Sequence, residues 1–452
     1  MIAKMKTILI HNAKIVNEGH AFKGSLLIEG DKISKIFKEE VPANILQSSE
    51  VIDGEGKWLM PGVIDTHVHF REPGLTQKGD FHSESKAAVA GGVTSFMDMP
   101  NTIPQTTSME LFEQKAALAA QKSLANFSFY LGATNDNIEE VKNADPKKVC
   151  GIKVFLGSST GNMLVNKDEV LEKIFEHSPV LVATHNEDEE MIKANIQKYK
   201  AEFGDNPIPI IYHELIRSSD ACYNATAKAV ELAHKYKTRL HVLHVSTQKE
   251  LALFENKPLS EKRVTAETCV GYLWFDDRDY ERLGAKIKCN PAIKKEKSRL
   301  ALLQAVEHGN IDTIATDHAP HLLSEKEGDA LQAVSGFPSI QYALPMMLKL
   351  AHEGNFTREQ VVEKMCHNPA KLFNIEKRGF IRKGFYADLV LVDPDVHYKV
   401  EKEELLYKCG WSPVEGTELS HKVTHTFVNG RLVYNQGVFN EENKGRLIDF
   451  AR

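Results

Sequence analysis

The chain is expected to be an α/β protein: a (β/α)8 TIM-like barrel with a small β-sandwich domain formed from its N- and C-terminal segments. Three observations predict this. From about residue 60 onward, short apolar runs alternate with amphipathic stretches, the rhythm of strand-helix units repeated around a parallel sheet. Eight such runs can be counted, the number that closes a barrel. The two flanks instead alternate apolar and polar residues over short spans, and neither has enough strands to bury a face alone.

Taken in order, the N-terminal flank reads as strands at Ile8-Leu9-Ile10, at Ala13 to Val16 and at Ser25 to Asp31. The barrel strands are expected at Leu59 to His67, Val93 to Met99, Phe127 to Ala133, Gly151 to Leu156, Val180 to His185, Leu240 to Val245, Val264 to Glu267 and Thr313 to Asp317. Between them the 3.6-residue period predicts helices such as Glu110 to Lys122, Lys167 to His177, Tyr223 to Tyr236 and Lys295 to Glu307. Two more, Ser339 to His352 and Arg358 to Phe373, close the barrel region. The C-terminal flank returns to strands at Ala387 to Pro394 and at Thr424 to Tyr434, the latter around the turn pair Asn429-Gly430. Residues 1–57 and 382–452 are thus expected to pair into the small β domain, and residues 58–381 to form the barrel.

Composition narrows the function classes. With 452 residues, 42% hydrophobic and 26% charged, the chain should fold throughout. A formal net charge of -6 is too mild for a nucleic-acid or membrane-binding surface, so any anion recognition must be local. No apolar stretch approaches the roughly 18 residues of a membrane span. The six cysteines stand singly with no CxxC pair, and the N-terminus lacks a small-residue cleavage site, so a reducing, cytoplasmic setting is expected.

The most informative stretch is His67-Val68-His69, followed by Phe70-Arg71-Glu72-Pro73-Gly74. In a strand, residues i and i+2 point the same way, so both imidazoles can reach one divalent ion. A catalytic site needs further ligands and an open position. Candidates recur at the other expected strand ends: Lys153, His185, His244 and Asp317. Any one of these histidines alone reads as a surface or core residue; in register around one barrel they read as ligands. His241 reads as structural. Lys153 is either a salt-bridged or snorkelling lysine, or a desolvated amine able to add carbon dioxide, and a carbamate so formed could bridge two ions roughly 3.5–4 Å apart.

These positions resemble the amidohydrolase superfamily. The longer words Asp65-Thr66-His67-Val68-His69-Phe70-Arg71-Glu72-Pro73-Gly74, Met99-Pro100-Asn101-Thr102 and Asp317-His318-Ala319-Pro320-His321 are similar to the dihydroorotase branch of that superfamily over nearly the whole chain. The resemblance implies reversible, metal-dependent cyclisation of N-carbamoyl-L-aspartate to L-dihydroorotate in pyrimidine biosynthesis. It implies two Zn2+ ions with a bridging hydroxide. His67 and His69 would hold the more buried ion, His185 and His244 the second, and Lys153 would bridge them as a carbamate. Asp317 would touch a metal and carry the proton. Arg71, Asn101, Asn290 and His321 would fix the small-molecule substrate, and a guanidinium suits a carboxylate because it forks onto it with two parallel hydrogen bonds. A homo-oligomer, with a dimer first among the states considered, is the assembly left open.

Rival readings are a hydantoinase or dihydropyrimidinase, an allantoinase, or a non-catalytic barrel scaffold. Arg71 and the filled ligand positions argue against them. One departure is Glu267-Thr268-Cys269-Val270-Gly271-Tyr272-Leu273, where many dihydroorotases carry a Pro-His-His-Leu-like word. The loop Gly157 to Asn162, with Ser158, Ser159 and Thr160, could close over substrate as a lid or be an ordinary connection. Asp98 is a candidate for orienting a ligand histidine. His82, His318, the Lys294 to Lys297 run and the acidic Asp276 to Asp279 loop are expected to lie outside the chemistry.

Overall fold

A computed structural model of the protein describes residues 7–157 and 163–452. Ser158, Ser159 and Thr160, the expected lid, lie outside the described residues. The fold is the expected (β/α)8 barrel with a β-sandwich built from the chain ends. Barrel strands run over Val63–Val68, Val93–Asp98, Asn126–Phe129 with Leu131–Gly132, Ile152–Phe155, Val182–His185, Leu240–Val242, Val264–Cys269 and Thr313–Ala315. Neighbours pair in parallel. The ring closes through a parallel bridge between Val68 and His318. The third strand is interrupted at Tyr130, whose N–H donates to Asp98 O at 3.1 Å.

The strand expected over Leu59 to His67 is two strands. Trp58–Pro61 belongs to the terminal sheet, pairing with Thr7–Asn17 on one side and Leu389–Asp393 on the other. The barrel begins only at Val63. Gly62 makes the crossing, and its lack of a side chain is required there, because a Cβ would fall 2.2 Å from the Thr94 side chain. Among the described residues the terminal sheet has nine strands, and Trp58–Pro61 is the seam at which the N-terminal strands meet the C-terminal ones. Within Leu389–Asp393 the two-residue period sorts side chains cleanly. Leu389 and Leu391 face the sheet's own core with Ile15, Leu59 and Phe427, whereas Val390 and Val392 join the core shared with the barrel. The last residues leave the sheet: Leu447 bridges Phe127, and Ile448 and Phe450 pack with Ile64, Tyr130 and Phe373.

The helices fall close to their expected spans, for example Met109–Lys122, Asp168–His177, Ser219–Tyr236 and Glu296–His308. The expected helix from Ser339 is regular only over Ala343–His352. The expected helix Arg358 to Phe373 contains a π turn at Glu363–His367, directly before Asn368–Phe373. Pro369 explains it: with no N–H and a ring that clashes with the carbonyl four residues back, it breaks the regular ladder. Two helices that the apolar period did not single out are Phe81–Ala90, opened by an Asp80 capping box, and Glu189–Phe203, capped by Asp188. Among the described residues no helix is long and apolar enough to cross a membrane.

Candidate metal centre and substrate pocket

Strand ends and the loops after them enclose a cavity of about 440 Å³ lined by His67, His69, Arg71, Asn101, Lys153, His185, His244, Asn290, Asp317 and His321. All ten site residues expected within the described chain therefore meet in one place, drawn from seven of the eight strands and their loops.

At one corner His67 Nε2 lies 3.3 Å and His69 Nε2 3.1 Å from the same oxygen, Asp317 Oδ1. The three ligand atoms lie within 4.8 Å of one another, a donor set of two imidazoles and a carboxylate that fits a divalent ion of the zinc type. Both rings are held from behind. Glu267 Oε1 accepts from His67 Nδ1 at 2.9 Å, and Asn101 Oδ1 accepts from His69 Nδ1 at 2.8 Å. Each acceptor places the ring proton on Nδ1 and leaves the Nε2 lone pair toward Asp317. Burial pushes His69 down to about 4, keeping it a neutral imidazole near pH 7. Burial works against ionisation of Asp317, yet His67, His69 and His244 hold its carboxyl below the usual range.

At the opposite corner His185 Nδ1 and His244 Nε2 are 2.8 Å apart. His185 Nε2 meets Glu187 Oε2 at 2.8 Å, and the same oxygen is paired with Arg217 at 2.5 Å. Lys153 stands between the corners, buried, its ammonium 4.5 Å over the Phe155 ring. Burial pushes this lysine down to about 7 against the opposing pull of Asp317 and Glu267, so a large fraction is free amine near neutrality. That is the state in which it can add carbon dioxide.

Arg71, His244 and Asp317 all sit at positive φ, 70°, 41° and 49° respectively. Such backbone is costly for non-glycine residues and concentrates at functional sites. The strand ends at Val68, so simple alternation does not carry through to residue 71; the left-handed turn does. The Arg71 guanidinium is held by Pro320 O at 3.0 Å and by His321 Nε2 at 2.9 Å. Burial, then Arg71 and Lys78, push His321 well below its ordinary value, so it is neutral. Asn290 Oδ1 is buried with no partner among the described residues. Asn101, expected at the substrate, spends its carbonyl on His69.

The expectation for Asp98 changes. Among the described residues Asp98 has no hydrogen bond or ion pair to His67, His69, His185 or His244; it accepts from the Phe70 N–H at 2.7 Å and pairs with Lys115 at 2.5 Å, bracing the loop that carries Arg71. His318 is a structural residue, fully buried between Glu84 and the Ser339 N–H. His241 is likewise structural, held by Thr265. The 267–273 segment, which lacks the histidine word, contributes to the centre through Glu267 behind His67, with Cys269 close by. Sequence reasoning missed Glu187, although the i, i+2 relation to His185 is the same signal that linked His67 to His69. It also missed Lys326, whose ammonium donates to the carbonyls of Lys288, Val334 and Gly336 and so pins one cavity wall.

A family model described as the amidohydrolase family matches residues 58–433. A dihydroorotase from Methanosarcina acetivorans is 34% identical over 98% of this chain and 96% of its own length. An L-hydantoinase from Paenarthrobacter aurescens is 29% identical over 98% of both chains. Among solved structures, an L-hydantoinase (dihydropyrimidinase) from Arthrobacter aurescens superposes with a TM-score of 0.92 at 28% identity, covering 98% of this chain and all of that one.

Proposed function

The chain belongs to the amidohydrolase family, and on that premise we propose that it is a dihydroorotase, interconverting N-carbamoyl-L-aspartate and L-dihydroorotate. It is a cyclic amide hydrolase, and the dihydroorotase relatives, at 30–34% identity over 95–98% of the chain, favour this member of the class. The observation that carries the substrate assignment is Arg71. Its guanidinium is buried, aimed by Pro320 O and His321, and lines the same cavity as the metal-side histidines. A buried guanidinium calls for an anionic partner, and the carboxylate outside the dihydroorotate ring supplies one where hydantoin, dihydrouracil and allantoin have none.

The family is metal-dependent, and the donor set here agrees with that. In this reading His67 and His69 would hold one zinc ion, His185 and His244 would hold a second, and Lys153, as a carbamate, would supply an anionic ligand to them. Bound zinc would polarise the ring carbonyl and lower the pKa of water to about 7. The residues of the chain do the rest. Arg71 clamps the carboxylate, and Asn290 and His321 fix the ring edge. Asp317, ionised at the outset of the hydrolytic direction, accepts the proton released as water adds to the carbonyl carbon, then delivers it to the departing ring nitrogen as the C–N bond breaks. In the cyclising direction the same carboxylate takes a proton from the carbamoyl nitrogen as that nitrogen bonds to the side-chain carboxyl carbon and water is lost.

The test is an activity assay on dihydroorotate, carbamoyl aspartate, dihydrouracil, hydantoin and allantoin across pH, with metal content measured on the same sample. Turnover of the first two is expected. Opening of dihydrouracil, hydantoin or allantoin with dihydroorotate untouched would overturn the assignment. Lys153→Ala should lower metal content and rate together, and full activity in that variant would remove the carbamate.

A further inference from the structure

We infer that Glu187 is a positioning residue for His185, selecting which ring nitrogen faces the second metal corner, with Arg217 as its counter-ion. The inference rests on the two-ion reading above.

An ionised carboxylate can only accept hydrogen bonds, so Glu187 Oε2, 2.8 Å from His185 Nε2, places the ring proton on that nitrogen. His185 Nδ1 then carries the lone pair, and it is Nδ1 that lies 2.8 Å from His244 Nε2, on the side where an ion would be held. The opposite tautomer would set a nitrogen lone pair against a carboxylate oxygen. Glu187 therefore does for His185 what Glu267 does for His67, and the two corners share one design.

The burial of Glu187 points to function rather than stability. Its side chain is wholly buried, and Oε1 has no hydrogen-bond partner among the described residues. A buried carboxylate used through one oxygen is destabilising unless it is paired. The pairing comes from Arg217, 2.5 Å from the same oxygen, whose backbone carbonyl is in turn held by Lys294 at 2.5 Å. The Glu187 backbone is fixed as well. Gly157, just past the strand that carries Lys153, lies so close that a Cβ there would fall 2.2 Å from Glu187 O. The bridging lysine and the positioning carboxylate are thus registered against each other through a glycine.

The test is zinc affinity, measured by chelator competition on the full-length protein, for the parent, Glu187→Asp, Glu187→Gln and Glu187→Leu, with melting temperatures of the same samples stripped of metal. Asp, one methylene too short, and Leu, with no acceptor, should each weaken one of two zinc ions by about 10- to 100-fold. Gln should fall between them and the parent, because its carbonyl can still accept from Nε2. Melting temperatures should not follow that order. Zinc binding by the Asp and Leu variants equal to the parent's would overturn the inference. If Leu does not fold, Asp, which keeps the charge beside Arg217, decides alone. A parent that binds no zinc at any pH would overturn the two-ion reading, and this inference with it.

Discussion

In the terminal sheet, Leu389 and Leu391 are buried against Ile15, Leu59 and Phe427. At the barrel mouth the same degree of burial is imposed on Lys153, His244 and Glu267. The sheet removes apolar surface from water, which stabilises the fold directly. The mouth crowds titratable groups into a low-dielectric space, which is unfavourable unless each is paired, and several are held in left-handed backbone besides. The difference separates two kinds of buried residue. Side chains in the sheet hold the fold up, while those in the mouth are held in place by it.

Four measurements would break or sharpen that contrast. The largest effect is expected for Asp317→Asn, which removes the proposed proton carrier and should cut kcat by about 10²–10⁴-fold with little loss of melting temperature. Near-normal turnover would reassign the base. Next, Arg71→Met should raise KM for dihydroorotate about ten- to a hundredfold, as expected for losing a charged hydrogen bond worth about 1.5–3 kcal/mol. Its metal content should match the parent's, and an unchanged KM would sever Arg71 from the carboxylate.

The sheet should respond in the opposite sense. Leu391→Ala is expected to cost about 2–5 kcal/mol in denaturant unfolding while the folded fraction keeps the parent's kcat. A large loss of kcat per folded molecule would show that the two regions are not separable. The smallest effect concerns His367, where the π turn meets the N-terminal strands: its Nε2 accepts from the Glu18 N–H at 2.9 Å and its Nδ1 donates to Gly379 O at 2.7 Å. Burial pushes His367 down to about 4 in the fold, below its value of about 6.5 in an unfolded chain. The unfolded chain then takes up the proton first as pH falls, so this contribution to stability is complete above about 6.5 and is lost progressively toward 4. His367→Gln should flatten the dependence of melting temperature on pH in that window, and equal slopes for variant and parent would remove the histidine from it.

Much of this is legible in the sequence, and the places where it is not share a cause. Periodicity located the strand ends, and so the residues that line the barrel mouth, because alternation and strand-helix rhythm are local properties. It misread Leu59 to His67 as one strand, because an apolar run looks the same whether it serves one sheet or crosses between two. It misjudged Asp98, whose partners are Lys115, on the helix Met109–Lys122, and the Phe70 N–H, in the loop after the first barrel strand. Glu187 could have been found from its spacing to His185. Arg217, thirty residues further along, carries no local signal at all.

The sequence by itself determined the barrel, the pairing of the chain ends, and the residue types of the centre, because short-range period and strand-end chemistry survive without knowledge of the partners. Only the tertiary structure decided which ring nitrogen of His67, His69 and His185 faces the cavity, through Glu267, Asn101 and Glu187, and how Arg71 turns into it. Those are choices of tautomer and backbone hand. They depend on contacts between groups up to about 250 residues apart in the chain, such as Arg71 with His321, and no local pattern encodes them.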